Sequence, residues 1–331
     1  MSNILITGGA GFIGCHLARQ LLNTRPAATL DLVDNLQRGR MDNDFKSIIE
    51  HKNVRFFNLD LTNPESYKEL GAGYEHVYHL AAVNGTDLFY KMPHKVLRTN
   101  ILSLIYMLDW FQEKNKGGKF CFTSSNEAYA GGLIAFDNLP IPTPENVPLV
   151  IEDTYNPRWS YAGSKLVGEL MVIHAARMHN FRALIVRPHN FYGPRAGYDH
   201  VIPQLSVRIA SRLDPFPLYG GEDTRTFCYI EDAVRAMHLL MDSPKTDGQP
   251  IETVHIGDFQ EIRIRELLDK LFEIAAWKPE KVEVKESVKG SVSRRNPDVS
   301  KLQTLIGWKP EVSLDDGLRR TLAWYQSNPL V

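Results

Sequence analysis

The sequence predicts an α/β fold: a doubly wound parallel sheet with a smaller C-terminal α+β lobe. Three observations predict it. Short apolar, β-rich runs alternate with helix-period segments through the first half of the chain, three glycines at three-residue spacing follow the first apolar run, and the alternation breaks into Pro/Gly-punctuated loops after Arg187. Alternating strands and helices imply parallel strands joined by right-handed crossovers, because each helix returns the chain across one face of the sheet. At 331 residues the chain also exceeds the roughly 250 to 300 residues at which a single core stops growing.

The strand candidates are Ile4 to Thr7, Thr29 to Asp34, Val54 to Asn58, His76 to Leu80, Lys119 to Ser124 and Arg182 to Arg187. Apolar residues three and four apart mark helices between them, among them Phe12 to Asn23, Val96 to Lys114 and Tyr161 to Met178. Beyond Arg187, Pro188, Gly193-Pro194, Pro203, Pro215, Pro217 and Gly220-Gly221 punctuate the chain. Long loops laid over a scaffold tend to bind ligands. The sheet domain is therefore assigned to 1–186 with a return segment at about 225–257, and the ligand-binding lobe to 187–224 and 258–331. Ala130 to Trp159, with prolines at 140, 142, 144, 148 and 157, is expected to be a long surface loop acting as a lid.

Composition excludes several classes. No stretch approaches the roughly 20 apolar residues of a membrane helix, and a formal charge of -1 does not suit a nucleic-acid or membrane surface. Cys15, Cys121 and Cys228 are odd in number, widely spaced and without a C-x-x-C pair, so neither a disulfide framework nor a metal site is expected. Two of the three are expected to be buried. The start Met1-Ser2-Asn3 carries no basic or cleavable apolar leader, which leads to a cytoplasmic expectation.

The stretch TGGAGFIG, residues 7 to 14, places Gly8, Gly11 and Gly14 between a strand and a helix. Such a turn brings backbone close to a pyrophosphate, and the helix N-terminus supplies N–H donors and a positive dipole. Asp34 ends the second strand 20 residues after Gly14. A carboxylate there accepts hydrogen bonds from ribose hydroxyls and repels a 2'-phosphate, which points to NAD rather than NADP. Asp60-Leu61, after the third strand, suits the adenine edge, although a solvated turn aspartate is a competing reading.

Tyr161 and Lys165 lie four apart at the start of a helix and so share one face. A lysine beside a tyrosine lowers the cost of a phenolate, and a phenolate so placed removes a proton from a substrate hydroxyl while hydride leaves the same carbon. Ser125 falls at the carboxyl edge of the sheet, where open α/β folds bind ligands. Its hydroxyl suits the reacting oxygen or, alternatively, a loop amide.

These segments resemble the extended short-chain dehydrogenase/reductases, specifically the NAD-dependent nucleotide-sugar epimerase/dehydratase group with its Rossmann sheet. The resemblance spans nearly the whole chain: TGGAGFIG (7 to 14), VDN (33 to 35), HLAA (79 to 82), Asn100, TSSNEAY (123 to 129), YAGSK (161 to 165), RPHNFYGPR (187 to 195), EDTRTFCYIED (222 to 232) and IGWKP (306 to 310). It implies a catalytic triad of Ser125, Tyr161 and Lys165. It implies NAD contacts from Gly8, Gly11, Phe12, Ile13, Gly14, Asp34, Asn35, Asp60, Leu61, Leu80, Ala81, Ala82, Asn100, Tyr161 and Lys165, and a nucleotide-sugar substrate held by the later segments.

The resemblance further implies oxidation at the sugar C4, giving a 4-keto intermediate whose C5 proton is acidified. Glu127 matches the glutamate that serves as acid/base in relatives acting at C5, such as 4,6-dehydratases and UDP-glucuronate decarboxylases, and that simple 4-epimerases typically lack. The competing reading of Glu127 is a loop carboxylate capping a helix. Asn126 stands where dTDP-glucose-type dehydratases carry an acidic aspartate, and an amide cannot donate that proton, whereas other dehydratases and the decarboxylases do without it. Arg225 and Arg295 match diphosphate contacts, for which a guanidinium fork is suited, and Asn190 matches an asparagine bound to the same group. Asn84 and Thr86 are placed near the sugar by location alone. Arg187 is read as structural, paired with a carboxylate. His79, His189 and His200 lack metal spacing and are read as packing or loop residues. Val96 to Lys114 and Tyr161 to Met178 resemble helices that pair across a dimer, so a homodimer or larger is expected.

The expected activity is thus C4 oxidation followed by dehydration or decarboxylation. Competing readings are a 4-epimerase, a 4-dehydrogenase stopping at the ketone, an NADPH carbonyl reductase and a non-catalytic NAD sensor. The reductase would want a basic residue near position 34, and the sensor would tolerate loss of Ser125, Tyr161 or Lys165; the sequence shows neither feature.

Overall fold

The computed structural model describes residues 2–115, 117–136, 138–247, 251–287 and 292–328, apart from the side chains of Thr86 and Asp87. Strands β1 (Asn3–Thr7), β2 (Thr29–Asp34), β3 (Val54–Asn58), β4 (His76–His79), β5 (Lys119–Thr123) and β6 (Arg182–Pro188) agree with the predicted runs to within one residue at each end. Helices α1 (Phe12–Thr24), α2 (Asn43–Ile49), α3 (Thr86–Lys91), α4 (Pro93–Lys114), α5 (Glu127–Ala135) and α6 (Trp159–His179) connect or follow them. The second half adds β7 (Phe191–Tyr192), α7 (Val201–Ala210), β8 (Phe216–Tyr219), β9 (Thr224–Thr226), β10 (Cys228–Tyr229), α8 (Ile230–Asp242), β11 (Ile251–Ile256) and β12 (Glu261–Arg263). The chain ends through α9 (Ile264–Ala275), β13 (Val282–Lys285), β14 (Arg294–Arg295), α10 (Ser300–Ile306) and α11 (Leu314–Ser327).

Seven strands form one sheet in the order β11-β6-β5-β4-β1-β2-β3, every neighbouring pair parallel. Parallel strands are covered on both faces, so their sequences are apolar throughout rather than alternating. In β1, Ile4 and Ile6 face the cluster built with α1 and α8, while Leu5 faces the opposite cluster with α4 and α6. The former core continues into the later segments through Leu205 of α7, Leu268 of α9 and Leu318 of α11. Strand order reverses between β1 and β4, and the crevice at that switch point opens at the carboxyl ends of the strands.

Two expectations need correction. Ala130 does not begin a loop, because α5 runs from Glu127 to Ala135. Its small residues let the returning chain press against it: a Cβ on Gly131 would meet the Val150 carbonyl at 2.1 Å. The proline-rich remainder is tied down rather than free to act as a lid, since Thr143 N donates to Asn296 O and Asp298 N to Thr143 O, both at 2.9 Å. All three cysteines, not two, are buried, and all are free.

Candidate active site

A cavity of about 620 Å³ opens at the switch point. That volume is within the range of small-molecule sites, roughly 300 to 1,000 Å³. Of the site residues named from the sequence whose side chains are described, all but Asn100 line it. Asn100 is buried behind the wall: its Oδ1 accepts from Val83 N at 2.7 Å, and its Nδ2 donates to Val83 O and to Ser164 Oγ. It fixes the wall of the crevice without facing it. The Thr86 side chain lies outside the described residues.

The glycine loop is packed too closely for side chains. Gly8 has φ +70, and a Cβ there would lie 3.0 Å from Ala81 N. A Cβ at Gly14 would fall 2.2 Å from Gly8 O, so the first turn of α1 seats directly on the loop. These absent side chains are what a dinucleotide pyrophosphate requires, and the residues present fit NAD. Asp34 holds the cradle as well: Oδ2 accepts from Ala10 N at 3.1 Å and Oδ1 from Leu36 N at 2.8 Å. Burial raises its pKa against those hydrogen bonds, and each oxygen keeps a lone pair for a ribose hydroxyl. Asp60 is exposed at the rim, with Oδ1 bound to the Thr62 backbone and hydroxyl.

Tyr161 stands in the first turn of α6, its ring stacked on Phe89 with centroids 5.0 Å apart. Burial raises its pKa strongly, a hydrogen bond from Ser125 opposes this, Glu127 adds to it, and Arg38 opposes it. Ser125 Oγ also accepts from Glu127 N at 3.1 Å, the loop-amide contact read as the alternative for this hydroxyl. Lys165 Nζ donates to Thr123 O at 2.7 Å and lies 5.6 Å from the Tyr161 ring centroid. Burial lowers its pKa to about 7, against the pull of Glu169.

Glu127, the first residue of α5, is clamped by two guanidiniums: Arg295 Nη1 at 2.8 Å and Arg158 Nη2 at 3.1 Å. Burial acts to raise the Glu127 pKa, but the two cations outweigh it and hold the carboxyl at about 2. The sequence suggested Arg295 for diphosphate; here it is engaged with Glu127. Arg295 of β14 pairs in register with Arg225 of β9. Arg225 donates to Thr224 O and Ser293 O, and burial together with Arg295 lowers its pKa to about 10. Asn190, at φ +44, donates to Thr226 O from the cavity wall.

Arg187 forms the expected carboxylate pair, two bonds of 2.8 Å to Glu169, whose Oε1 also takes the Ser124 hydroxyl at 2.5 Å. His189 packs in a buried group with His255 and Tyr129. His200 lies in the loop before α7, as read, and also lines the cavity. Glu75, His76 and Asp242 gather ligand-type atoms at the opposite edge of the sheet, but Arg25 reaches Glu75 at 2.8 Å and Asp242 at 3.7 Å and supplies the cation itself.

Four lining arginines, Arg38, Arg40, Arg158 and Arg195, escaped the sequence reading. Arg158 lies three residues before Tyr161, hence one helical turn away, a spacing that carries the signal. Arg195 ends the RPHNFYGPR stretch and binds Asp42, Ala10 O and Gly11 O, locking the glycine loop from outside. Arg38 has no signal in its neighbours; only the fold brings it to the cavity.

The family model described as NAD dependent epimerase/dehydratase matches residues 4–257. The chain belongs to this family. It is 32% identical to UDP-glucuronic acid decarboxylase 6 of Arabidopsis thaliana, over 95% of this chain and 86% of that protein. It is also 32% identical to UDP-N-acetyl-alpha-D-glucosaminuronate decarboxylase of Bacillus cytotoxicus, over 97% of each chain. Among solved structures, dTDP-glucose 4,6-dehydratase from Streptomyces venezuelae with NAD bound superposes with a TM-score of 0.84 at 27% identity, over 98% of this chain and 97% of that one. Family members of this kind are NAD-dependent enzymes, so the cofactor of this epimerase/dehydratase-family chain is NAD.

Proposed function

We propose that this enzyme oxidises a nucleotide-diphosphate sugar at C4 and then removes the C6 carboxylate of a uronic acid as carbon dioxide. The observation that carries this reading is Glu127 held between Arg158 and Arg295. At about 2, its carboxyl is an anion at neutral pH and a weak base. Dehydration would need a base for the C5 proton and an acid for the leaving hydroxyl, and position 126 offers only an amide. Decarboxylation needs no acid for a leaving hydroxyl: the C5–C6 bond electrons flow into the C4 carbonyl as carbon dioxide departs, and C5 then takes a proton from solvent water.

NAD, held along the glycine loop and Asp34, supplies the hydride acceptor. Tyr161 takes the C4 hydroxyl proton, Ser125 orients the same oxygen, and Lys165 charges and discharges beside the phenol. Residues 1–186 with the return segment hold the dinucleotide in this reading, and 187–224 with 258–331 hold the sugar nucleotide. A homodimer through the outer faces of α4 and α6 completes it, supported by exposed Val167, Leu170 and Met178 on α6. A cytoplasmic location agrees with three reduced cysteines.

The deciding experiment is mass spectrometry after incubation with UDP-glucuronate, dTDP-glucose and UDP-glucose in deuterated water. Loss of carbon dioxide from UDP-glucuronate with deuterium gained is the expected result. Loss of water from dTDP-glucose instead would make the enzyme a dehydratase. An isobaric product without deuterium would establish 4-epimerisation and remove Glu127 from the chemistry.

A further inference from the structure

Arg38 follows β2 in the loop leading to α2 and reaches across the cavity mouth toward Asp199, which precedes α7. The pair is loose: Nη2 and Oδ2 are 3.9 Å apart, beyond hydrogen-bond distance, and both side chains are 35% exposed. Other bridges between the same two segments are tight. Arg195 meets Asp42 at 2.8 Å, and Arg40 donates to the Tyr198 hydroxyl at 3.0 Å while stacking on its ring. Arg38 is thus the slack member of a set whose other members are seated.

The guanidinium lies close against two glycines. A Cβ on Gly85, at φ +133, would fall 2.6 Å from both Arg38 Nη1 and Asp199 Oδ2, and one on Gly197 would lie in ordinary contact with Nη2 at 3.6 Å. The guanidinium faces the main cavity, where its field reaches Tyr161, and a neighbouring pocket of about 110 Å³ that it shares with Lys95. Burial lowers the Arg38 pKa, Asp199 only partly offsets that, and Arg40 opposes the offset. Arg38, Arg40 and Lys95 give this rim a positive excess that one aspartate does not balance.

We propose that Arg38 is a ligand-binding residue that takes an anionic oxygen group, phosphate or carboxylate, of the molecule bound in the cavity, with Asp199 as its competitor. The guanidinium fork exchanges a loose contact for a charge-assisted pair, and Asp199 is released to solvent. The proposal rests on the reading of the cavity as a dinucleotide and sugar-nucleotide site. The anion belongs to one or the other ligand.

The test is calorimetric titration of NAD, and of UDP-glucuronate and UDP-glucose into the NAD-loaded protein, for wild type, Arg38→Gln and Asp199→Asn. Arg38→Gln weakens the ligand carrying the anion about ten- to a hundredfold. Asp199→Asn tightens the same ligand about two- to fivefold, a sign that a structural latch would not give. Loss confined to NAD assigns the cofactor's phosphates. Loss shared by both UDP-sugars assigns the diphosphate, and loss confined to UDP-glucuronate assigns its carboxylate. Unchanged affinity for all three in Arg38→Gln overturns the proposal, as does equal weakening in both variants. Wild type that binds NAD but not UDP-glucuronate overturns the decarboxylase reading while the NAD and UDP-glucose arms still decide Arg38.

Discussion

Tyr161 and Glu127 sit in one cavity with opposite protonation, the phenol pushed up by burial and the carboxyl pulled down by two arginines. In the proposed reaction that separation divides their work: the phenol moves a proton at the sugar oxygen, and the carboxylate orders charge around C5. Tyr161→Phe should lower kcat about a hundred- to ten-thousandfold while leaving NAD affinity intact, measured by steady-state kinetics and NAD titration. Full turnover in that variant would end the catalytic assignment. Glu127→Gln should still form NADH on mixing with substrate but stall before carbon dioxide release, which stopped-flow absorbance and product mass resolve. The same carboxyl bears on stability. Its pKa is depressed from 4.5 to about 2, so the arginine clamp stabilises fully above about pH 4.5 and is lost as pH falls through 2. The stability gap between wild type and Glu127→Gln in denaturant titrations should therefore shrink across that window.

At the scale of elements, the turn between β1 and α1 is the most constrained piece of the molecule. A methyl group at Gly14 would meet Gly8 O at 2.2 Å and Gly9 Cα at 2.8 Å, both backbone atoms with nowhere to go. Gly14→Ala should thus displace α1 and abolish NAD binding, with a fall in melting temperature, rather than trim affinity. A variant that binds NAD normally would show that the loop yields. α5 and α6 act together in the same way: the first places Glu127 at its N-terminus, and the second sets Arg158 and Tyr161 one turn apart. The glycine spacing and the Tyr-Lys spacing were legible because helix and turn periodicity are local. The start of α5 was not legible, since its small residues read as loop until the returning chain at Val150 explains them.

For the whole molecule, an uncovered apolar stripe on α6 accompanies the catalytic face of the same helix. Leu170 is 49% exposed and Met178 81% exposed. Leu170→Glu should shift the protein from dimer to monomer in light scattering, because a carboxylate in a paired helical face is desolvated without a partner. A wild-type monomer would remove the dimer from the reading. The apolar core meanwhile joins the sheet to α7, α9 and α11, which makes the cavity wall a product of both halves of the chain.

The sequence by itself determined the parallel sheet, the glycine cradle, Asp34 and the Ser125, Tyr161, Lys165 set. Each of these rests on local periodicity or on a strand end, and local geometry follows from local residues. It marked a return segment but not β11 as the seventh strand, and the resemblance made Asn100 an NAD contact, whereas its side chain is bound to Val83 and Ser164 behind the cavity wall. Only the tertiary structure decided that Arg295, 168 positions from Glu127, meets it in an ion pair, and that Arg38 faces Asp199 across the mouth. Those contacts depend on which loops converge at the carboxyl edge of the sheet, and long-range convergence is a property of packing rather than of spacing along the chain.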